Sequence, residues 1–313
     1  MGMGNRKQTN TKRSVLHWLS KAVLLAVAPW TAAQFVLEFH AWGRTLPMVA
    51  WITLAICVAM AALVWKLRAG TAGAAAMGAA ILGCLIWGTI QFPYTNWLRT
   101  GLTPLGVTLV LTLTATKIGQ RMRGETGSRE VTLNREATHG RDAAQVAANL
   151  GVAAVAVTLV PFAPEIVAHN PSFAALVAFS ALAEAAADTV SSEIGRSFGG
   201  TPRLVTSWRR VPAGTDGAVT ALGTLAGAVA AALVAGTGIW SLTGALRGQQ
   251  MGLWLILVGG CAGWLLDSLL GATLERRGWL NNVAVNFLST GFAGVVTLLL
   301  ARGLAALLLH PRG

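Results

Sequence analysis

Apolar residues in this chain come in long blocks separated by short polar breaks, and nine blocks approach the ~20 residues that a helix needs to cross a bilayer. They fall at residues 22–39, 46–65, 71–92, 103–118, 143–160, 173–194, 218–240, 252–274 and 283–309. The pattern predicts an all-α, polytopic membrane protein with about nine transmembrane helices. The first block follows a long polar arm with Arg6, Lys7, Lys12 and Arg13 and is interrupted by Pro29, Gln34 and Glu38. Such a block reads as a retained, weak span rather than a cleaved signal. The last block is overlong and is expected to end near Leu300, with Arg302 at the surface.

Composition points the same way, with 54% of the 313 residues hydrophobic and 12% charged. The net charge of +12 would suit a nucleic-acid partner. The cations sit instead in short loops between apolar spans, with no soluble basic domain or recognition motif, so nucleic acid is set aside. Of the 24 lysines and arginines, 19 lie in the N-terminal arm and in the breaks after the second, fourth, sixth and eighth spans. The other side holds Arg44, Arg99, Arg247, Arg302 and Arg312. The positive-inside rule then predicts a multi-pass protein of the cell membrane with a cytoplasmic N-terminus and an outside C-terminus. Trp42, Trp97, Trp208, Trp240 and Trp279 fall near span ends, where amphipathic rings prefer the interface. Cys57, Cys84 and Cys261 lie inside apolar runs without a CxxC and read as small buried hydrophobes. His17, His40, His139, His169 and His310 are scattered, which supports neither a zinc site nor a histidine triad.

Glycines speak to packing. Gly73, Gly78, Gly83 and Gly88 recur every five residues, and Gly223 with Gly227 forms a GxxxG, a pattern that lets helices approach closely in lipid. No internal repeat is visible, so an inverted-repeat transporter gains no support.

The most polar apolar helix is the sixth. Glu184, Asp188 and Ser192 share one stripe at i, i+4 and i+8, with Gly195 near the same face, ahead of a basic, glycine-rich loop. Carboxylates in lipid are costly and mark functional sites by default. Other spans bring polar groups to the same membrane half. Lys117 closes the fourth span, Arg141, Gln145 and Asn149 run into the fifth, and the turn Gly214, Thr215, Asp216, Gly217 opens the seventh. Asp267 lies on the eighth, and Asn282 and Asn286 enter the ninth. Simpler roles compete for several of these. Thr215 or Asp216 serves equally as an N-cap of the seventh helix, and Gln145 and Asn149 as interhelical glue. Glu184 suits a protonated, hydrogen-bonded acid, and Arg209, Arg276 and Arg277 suit topology signals. Convergence on one membrane face favours a site.

The inventory suits phosphate chemistry. Asp188 and Asp267, with Glu184 and Asp216 as further candidates, are hard oxygen ligands of the kind Mg²⁺ takes, one or two at a time, beside phosphates and waters. Lys117, Arg141 and Arg210 would neutralise phosphoryl oxygens, and helix N-termini after Gly140 and Gly214 would offer N–H groups to anions. No P-loop or kinase signature set is present, so a nucleotide site is of another type.

Six ordered segments resemble one family: LTATKIG (113–119), GRDAAQVAANLG (140–151), ADTVSSEIG (187–195), VPAGTDGAVT (211–220), LLDSLLGATLE (265–275) and NNVAVNFLS (281–289). They are similar to those of the plant phytyl-phosphate kinases, whose family (domain of unknown function 92) includes transmembrane protein 19 and many uncharacterised bacterial proteins. The resemblance implies an integral membrane kinase of isoprenyl monophosphates that uses Mg²⁺ and a nucleoside triphosphate. The ADTVSSEIG segment is distantly similar to dolichol and phytol kinases and phosphatidate cytidylyltransferases, which favours CTP. In the implied roles Asp188, Asp267, Arg141 and Lys117 carry the chemistry. Gln145, Asn149, Ser192, Gly195, Arg210, residues 214–217, Asn282 and Asn286 bind the nucleotide. Asp216 and Val190 depart from the family's usual asparagine or serine and tryptophan. The implied organisation is a basic arm (1–21), two additional helices (22–70) and a family domain (71–309) with its site at the cytoplasmic face. The partners are lipid phosphate, nucleotide and membrane lipids, with a homo-oligomer left open. Two alternatives remain: a cytidylyltransferase that joins CMP to a lipid phosphate, and a transporter that uses the buried acids.

Overall fold

The computed structural model describes residues 3–91, 96–125, 140–159 and 172–309. Among them are nine helices: α1 (Met3–Thr45), α2 (Pro47–Lys66), α3 (Ala72–Thr89), α4 (Leu102–Glu125), α5 (Ala143–Thr158), α6 (Ser172–Phe198), α7 (Ala221–Thr243), α8 (Gln250–Leu270) and α9 (Asn282–Leu309). Each arises from one predicted apolar block, and the protein is an all-α, integral multi-pass membrane protein. Eight helices are long and apolar enough to cross a bilayer. The exception is α5, whose 16 residues cover roughly 24 Å at ~1.5 Å per residue, short of a ~30 Å hydrocarbon core.

Three boundaries differ from expectation. The first helix begins at Met3, so the basic arm and the first span are one helix with Pro29 inside it. The fourth runs on to Glu125, leaving Lys117 about two turns inside its end rather than closing it. The ninth continues to Leu309 instead of stopping near Leu300, although Arg302 is exposed as expected. Arg129, Arg135, His139, His169, His310 and Arg312 lie outside the described residues.

Alanine and glycine explain the packing. The central helix is α6, which touches α4, α5, α7, α8 and α9. Its alanines at 174, 175, 178, 181, 183 and 185–187 are buried, and such small side chains let five neighbours crowd around it. The closest neighbour is α7. A Cβ on Gly223 would stand 2.5 Å from the Ser191 carbonyl oxygen, and one on Gly227 2.9 Å from that of Ala187, so this GxxxG is a packing motif. The five-residue glycine series divides: Gly83 faces Phe35 and Gly88 faces Val157, whereas Gly78 looks into open space and Gly73 makes ordinary contact.

Two short backbone devices shape one end of the bundle. After α6 the chain forms an antiparallel pair, β1 (Arg203–Leu204) with β2 (Ala218–Val219), and the Val205 N–H donates to the Gly217 carbonyl at 3.1 Å. Gly217 has φ +71 and presses on Ala272, at the π-helical turn Gly271–Glu275 that ends α8. Only glycine combines that φ with that approach. Because residues 218–219 belong to the strand pair, α7 starts at Ala221 and its N-cap is Thr220, whose hydroxyl accepts from Gly223 N–H at 3.1 Å. The expectations that Thr215 or Asp216 caps this helix, and that a helix begins after Gly214, are therefore corrected. Thr215 instead donates to the Pro212 carbonyl at 2.7 Å. The second device straps the start of α5 to the α2–α3 turn: Arg141 N–H donates to Ala69 O at 3.0 Å and Thr71 N–H to Arg141 O at 2.9 Å.

Candidate functional site

That end of the bundle encloses a cavity of about 660 Å³, a size suited to a small-molecule ligand. Fourteen of the sixteen anticipated site residues form its walls. Lys117 comes from α4, Arg141 from the strap, Gln145 and Asn149 from α5, and Asp188, Ser192 and Gly195 from α6. Gly214, Thr215, Asp216 and Gly217 come from the loop on α8, Asp267 from α8 itself, and Asn282 and Asn286 from α9. The remaining two are elsewhere. Glu184 lies buried one turn deeper than Asp188, and Arg210 is exposed on the loop, outside the walls.

The floor is acidic. The Asp188 and Asp267 carboxyl groups face each other within hydrogen-bonding range, and Ser289 Oγ donates to Asp267 Oδ2 at 3.3 Å. Two negative charges at such range repel unless a proton or a cation lies between them. Beneath them Glu184 is 1% exposed. Its Oε1 has no hydrogen-bond partner among the described residues, although buried polar atoms are nearly always paired. Gly263 on α8 makes room for it, since a Cβ there would stand 2.9 Å from Glu184 Cγ.

Cations ring the rim. Arg196 and Arg141 lie within electrostatic reach of Asp188, and Arg141 Nη2 donates to Thr189 Oγ1 at 3.5 Å. Asp216 stands across from Arg196 and Arg276. Burial raises its carboxyl above the usual range, against the opposing pull of those two guanidinium groups. Some polar groups have structural duties. Asp142 and Gln145 form a reciprocal capping box on α5, so Gln145 serves the helix end as well as the wall. Asn286 Nδ2 donates to Asn149 Oδ1 at 2.7 Å across α9 and α5, as interhelical glue would. The side-chain oxygen of Asn286 nonetheless has no hydrogen-bond partner among the described residues.

The walls also hold four residues with chemical potential that the sequence pattern does not mark: Glu193, Arg196, Trp264 and Glu275. Trp264 Nε1 donates to Ser191 Oγ at 3.0 Å, which ties α8 to α6 beside Asp188. Arg196 reads in the sequence as a loop cation, yet α6 extends to Phe198 and carries it to the rim. The π-helical turn brings Glu275 to the wall beside two arginines that read as topology signals.

The donor set fits a hard cation. Two facing carboxyls with an unpartnered oxygen below offer only oxygen ligands, and Mg²⁺ commonly uses one or two carboxylates with phosphates and waters. No three His, Cys, Asp or Glu among the described residues form a metal cage by themselves, which such a partly phosphate-bound ion does not need.

Residues 55–294 match the family described as integral membrane protein DUF92. An uncharacterized membrane protein of Methanocaldococcus jannaschii is 43% identical over 121 residues, 39% of this chain and 49% of that protein. The chloroplastic protein VTE6 of Arabidopsis thaliana is 35% identical over 116 residues, 36% of this chain and 34% of that one. An uncharacterized membrane protein of Synechocystis is 34% identical over 119 residues, 36% and 42% of the two chains. Each match spans less than half of the relative's own length. No solved structure matches the chain.

Proposed function

The chain belongs to the DUF92 family of integral membrane proteins, and we propose that it is an isoprenyl-phosphate kinase whose active cavity lies at the cytoplasmic face. The observation that carries this reading is the meeting, in one cavity at the end of a membrane bundle, of facing carboxyls with a ring of basic side chains. The resemblance of six of its segments to the plant phytyl-phosphate kinases supports the same reading.

In the proposed reaction an oxygen of the lipid monophosphate attacks the terminal phosphorus of a nucleoside triphosphate, with CTP favoured. The new P–O bond forms as the bridging bond to the β-phosphate breaks, and the nucleoside diphosphate leaves with that electron pair. A phosphate monoester is already largely dianionic near neutral pH, with a second pKa of about 6. The nucleophile therefore needs no general base, so a lack of histidine among the described wall residues is no obstacle. What the reaction needs is positioning and charge neutralisation. Arg141 and Lys117 would hold the lipid phosphate and the transferred group from two sides, and Arg196 would face them across Asp188. Mg²⁺, held by Asp188 and Asp267, would supply neutralising charge between the phosphates. The loop at 214–217 and the α9 asparagines would contact the nucleotide.

Purified protein supplied with labelled CTP or ATP and geranylgeranyl or phytyl phosphate should yield the lipid diphosphate. CDP-lipid with pyrophosphate would make it a cytidylyltransferase. Absence of both products, with flux of ions or lipid phosphate through proteoliposomes, would make it a transporter.

A further inference from the structure

Next to the polar cavity lies a smaller one of about 50 Å³, walled almost wholly by apolar residues of α2, α3, α4 and α5. Ala69, Leu113 and Arg141 belong to the walls of both. Arg141 is the single charged residue of the apolar slot, and its backbone is held by the strap to residues 69 and 71. Gly140 makes that strap possible, because a Cβ there would stand 2.7 Å from the Arg68 carbonyl oxygen. The slot thus meets the polar cavity at an arginine whose backbone is fixed in place.

The outer side of the slot lies along a seam. The fourth helix packs chiefly on α6 and α7 and only slightly on α3, so helix packing does not seal the α3–α4 boundary. The α4 wall runs from Leu105 to Leu113, roughly 12 Å of helix. Facing it, α3 presents small residues, among them Ala75, Gly78 and Ala79. A Cβ at Gly78 would meet nothing within 4 Å, so this position is open toward the slot and is not a helix contact.

We propose that this slot seats the phosphate-proximal isoprene unit of the lipid monophosphate, whose remaining tail lies out in the bilayer through the α3–α4 seam while its phosphate meets Arg141. The inference rests on the lipid-phosphate reading of the larger cavity. An amphiphile is processed at least cost when its tail stays in apolar surroundings and only its head moves among charges, because exposing the tail to water or the phosphate to hydrocarbon is penalised. Contiguous apolar and cationic walls meet that requirement. The small volume commits the slot to one chain, which favours a prenyl monophosphate over a two-chain phospholipid.

The test uses full-length protein in nanodiscs and two substrates: geranylgeranyl phosphate and methyl phosphate, which has no tail to enter the slot. Gly78→Leu should raise KM for the long substrate about tenfold, the effect of losing burial of roughly two methylenes, and leave the short one unchanged. Gly78→Ala should fall between. Equal loss on both substrates, or on neither, overturns the slot. A geranylgeranyl phosphate with a diazirine in its phosphate-proximal isoprene unit gives a readout independent of turnover, and should label residues 74–79 and 105–113 in the parent and much less in Gly78→Leu. Turnover without labelling there would sink the slot but leave the kinase reading intact. Labelling without turnover would do the reverse, and neither result in the parent would remove both.

Discussion

The two ends of the bundle treat polar side chains in opposite ways. At the end away from the cavity, polar groups close onto the chain itself. Gln91 Nε2 donates to the Leu242 carbonyl at 2.7 Å, Arg99 Nη2 reaches the same oxygen at 3.5 Å, and Thr89 Oγ1 accepts from Gly101 N–H at 2.7 Å. Each closes a helix end or a turn. At the cavity end, Asp188 and Asp267 face each other, Glu184 Oε1 and Asn286 Oδ1 are unpartnered, and the arginines crowd a wall instead of a carbonyl. One end is built to finish helices. The other crowds acids together at a cost in repulsion, and that crowding rather than unmade hydrogen bonds marks the candidate site, since Arg99 Nε and Trp87 Nε1 are unpartnered among the described residues too.

The sharpest way to break this contrast is to neutralise the acids. Asp188→Asn and Asp267→Asn should each reduce turnover to background while leaving thermal stability nearly unchanged, since an isosteric amide relieves like-charge repulsion but supplies no charge to a cation. The Tm rise given by Mg²⁺ plus nucleotide in the parent should vanish in both, because a ligand that binds the native state stabilises it by mass action. Were the pair a structural ion-pair element, the variants would instead lose roughly 3–5 kcal/mol and fail by unfolding. Arg99→Ala at the opposite end is the control, expected to lose about 1 kcal/mol of stability and no activity.

A smaller effect tests whether helix packing holds the cavity end together. Gly227→Leu would drive a side chain into the Ala187 carbonyl, Ser191 and Trp264, and overpacking of this kind costs about 1–3 kcal/mol or more. Yield and melting temperature in detergent should both drop. Normal values would mean that α6 and α7 separate freely.

The smallest effect concerns Asp216, where burial raises the carboxyl above its ordinary range and Arg196 and Arg276 pull it back. A raised acid binds its proton more readily folded than unfolded. Stability should therefore fall as pH rises from the unfolded value of ~3.9 through the raised one, and stay level above it. Asp216→Asn should melt higher than the parent at neutral pH, with the gap closing as pH drops below ~3.9. Identical pH profiles would show that the two arginines cancel the burial.

Most of the fold was legible because lipid imposes one strong rule: apolar blocks of nearly fixed length, broken by charge. All nine blocks became helices. The α5 block, already short at 143–160, starts its helix at Ala143 as expected and ends it at Thr158. Legibility of the site followed from the same rule, since a carboxylate or amide inside an apolar block stands out, and Gln145, Asn149, Asp188, Asp267 and Asn286 did converge. What stayed hidden was set by backbone geometry. Arg196 looked like one more loop cation because the end of α6 is not marked in the residues around it. Glu275 looked like a helix terminus because nothing in GATLE announces a π-helical turn. Neither the strand pair nor the role of Thr220 could be seen while the 218–219 stretch read as helix.

Gly217 and Gly271 constrain one another. The backbone of one rests on the other, with the nitrogen of Gly217 standing 2.9 Å from where a Cβ on Gly271 would be. A side chain at position 217 would strike Ala272, and restoring space would require moving the turn that carries Glu275. Backbone on both sides leaves no flexible side chain to give way, so the crossing acts as a rivet: the loop at 214–217 and the turn at 271–275 are held in one fixed relation, and any change in the shape of the cavity has to come from the walls around it.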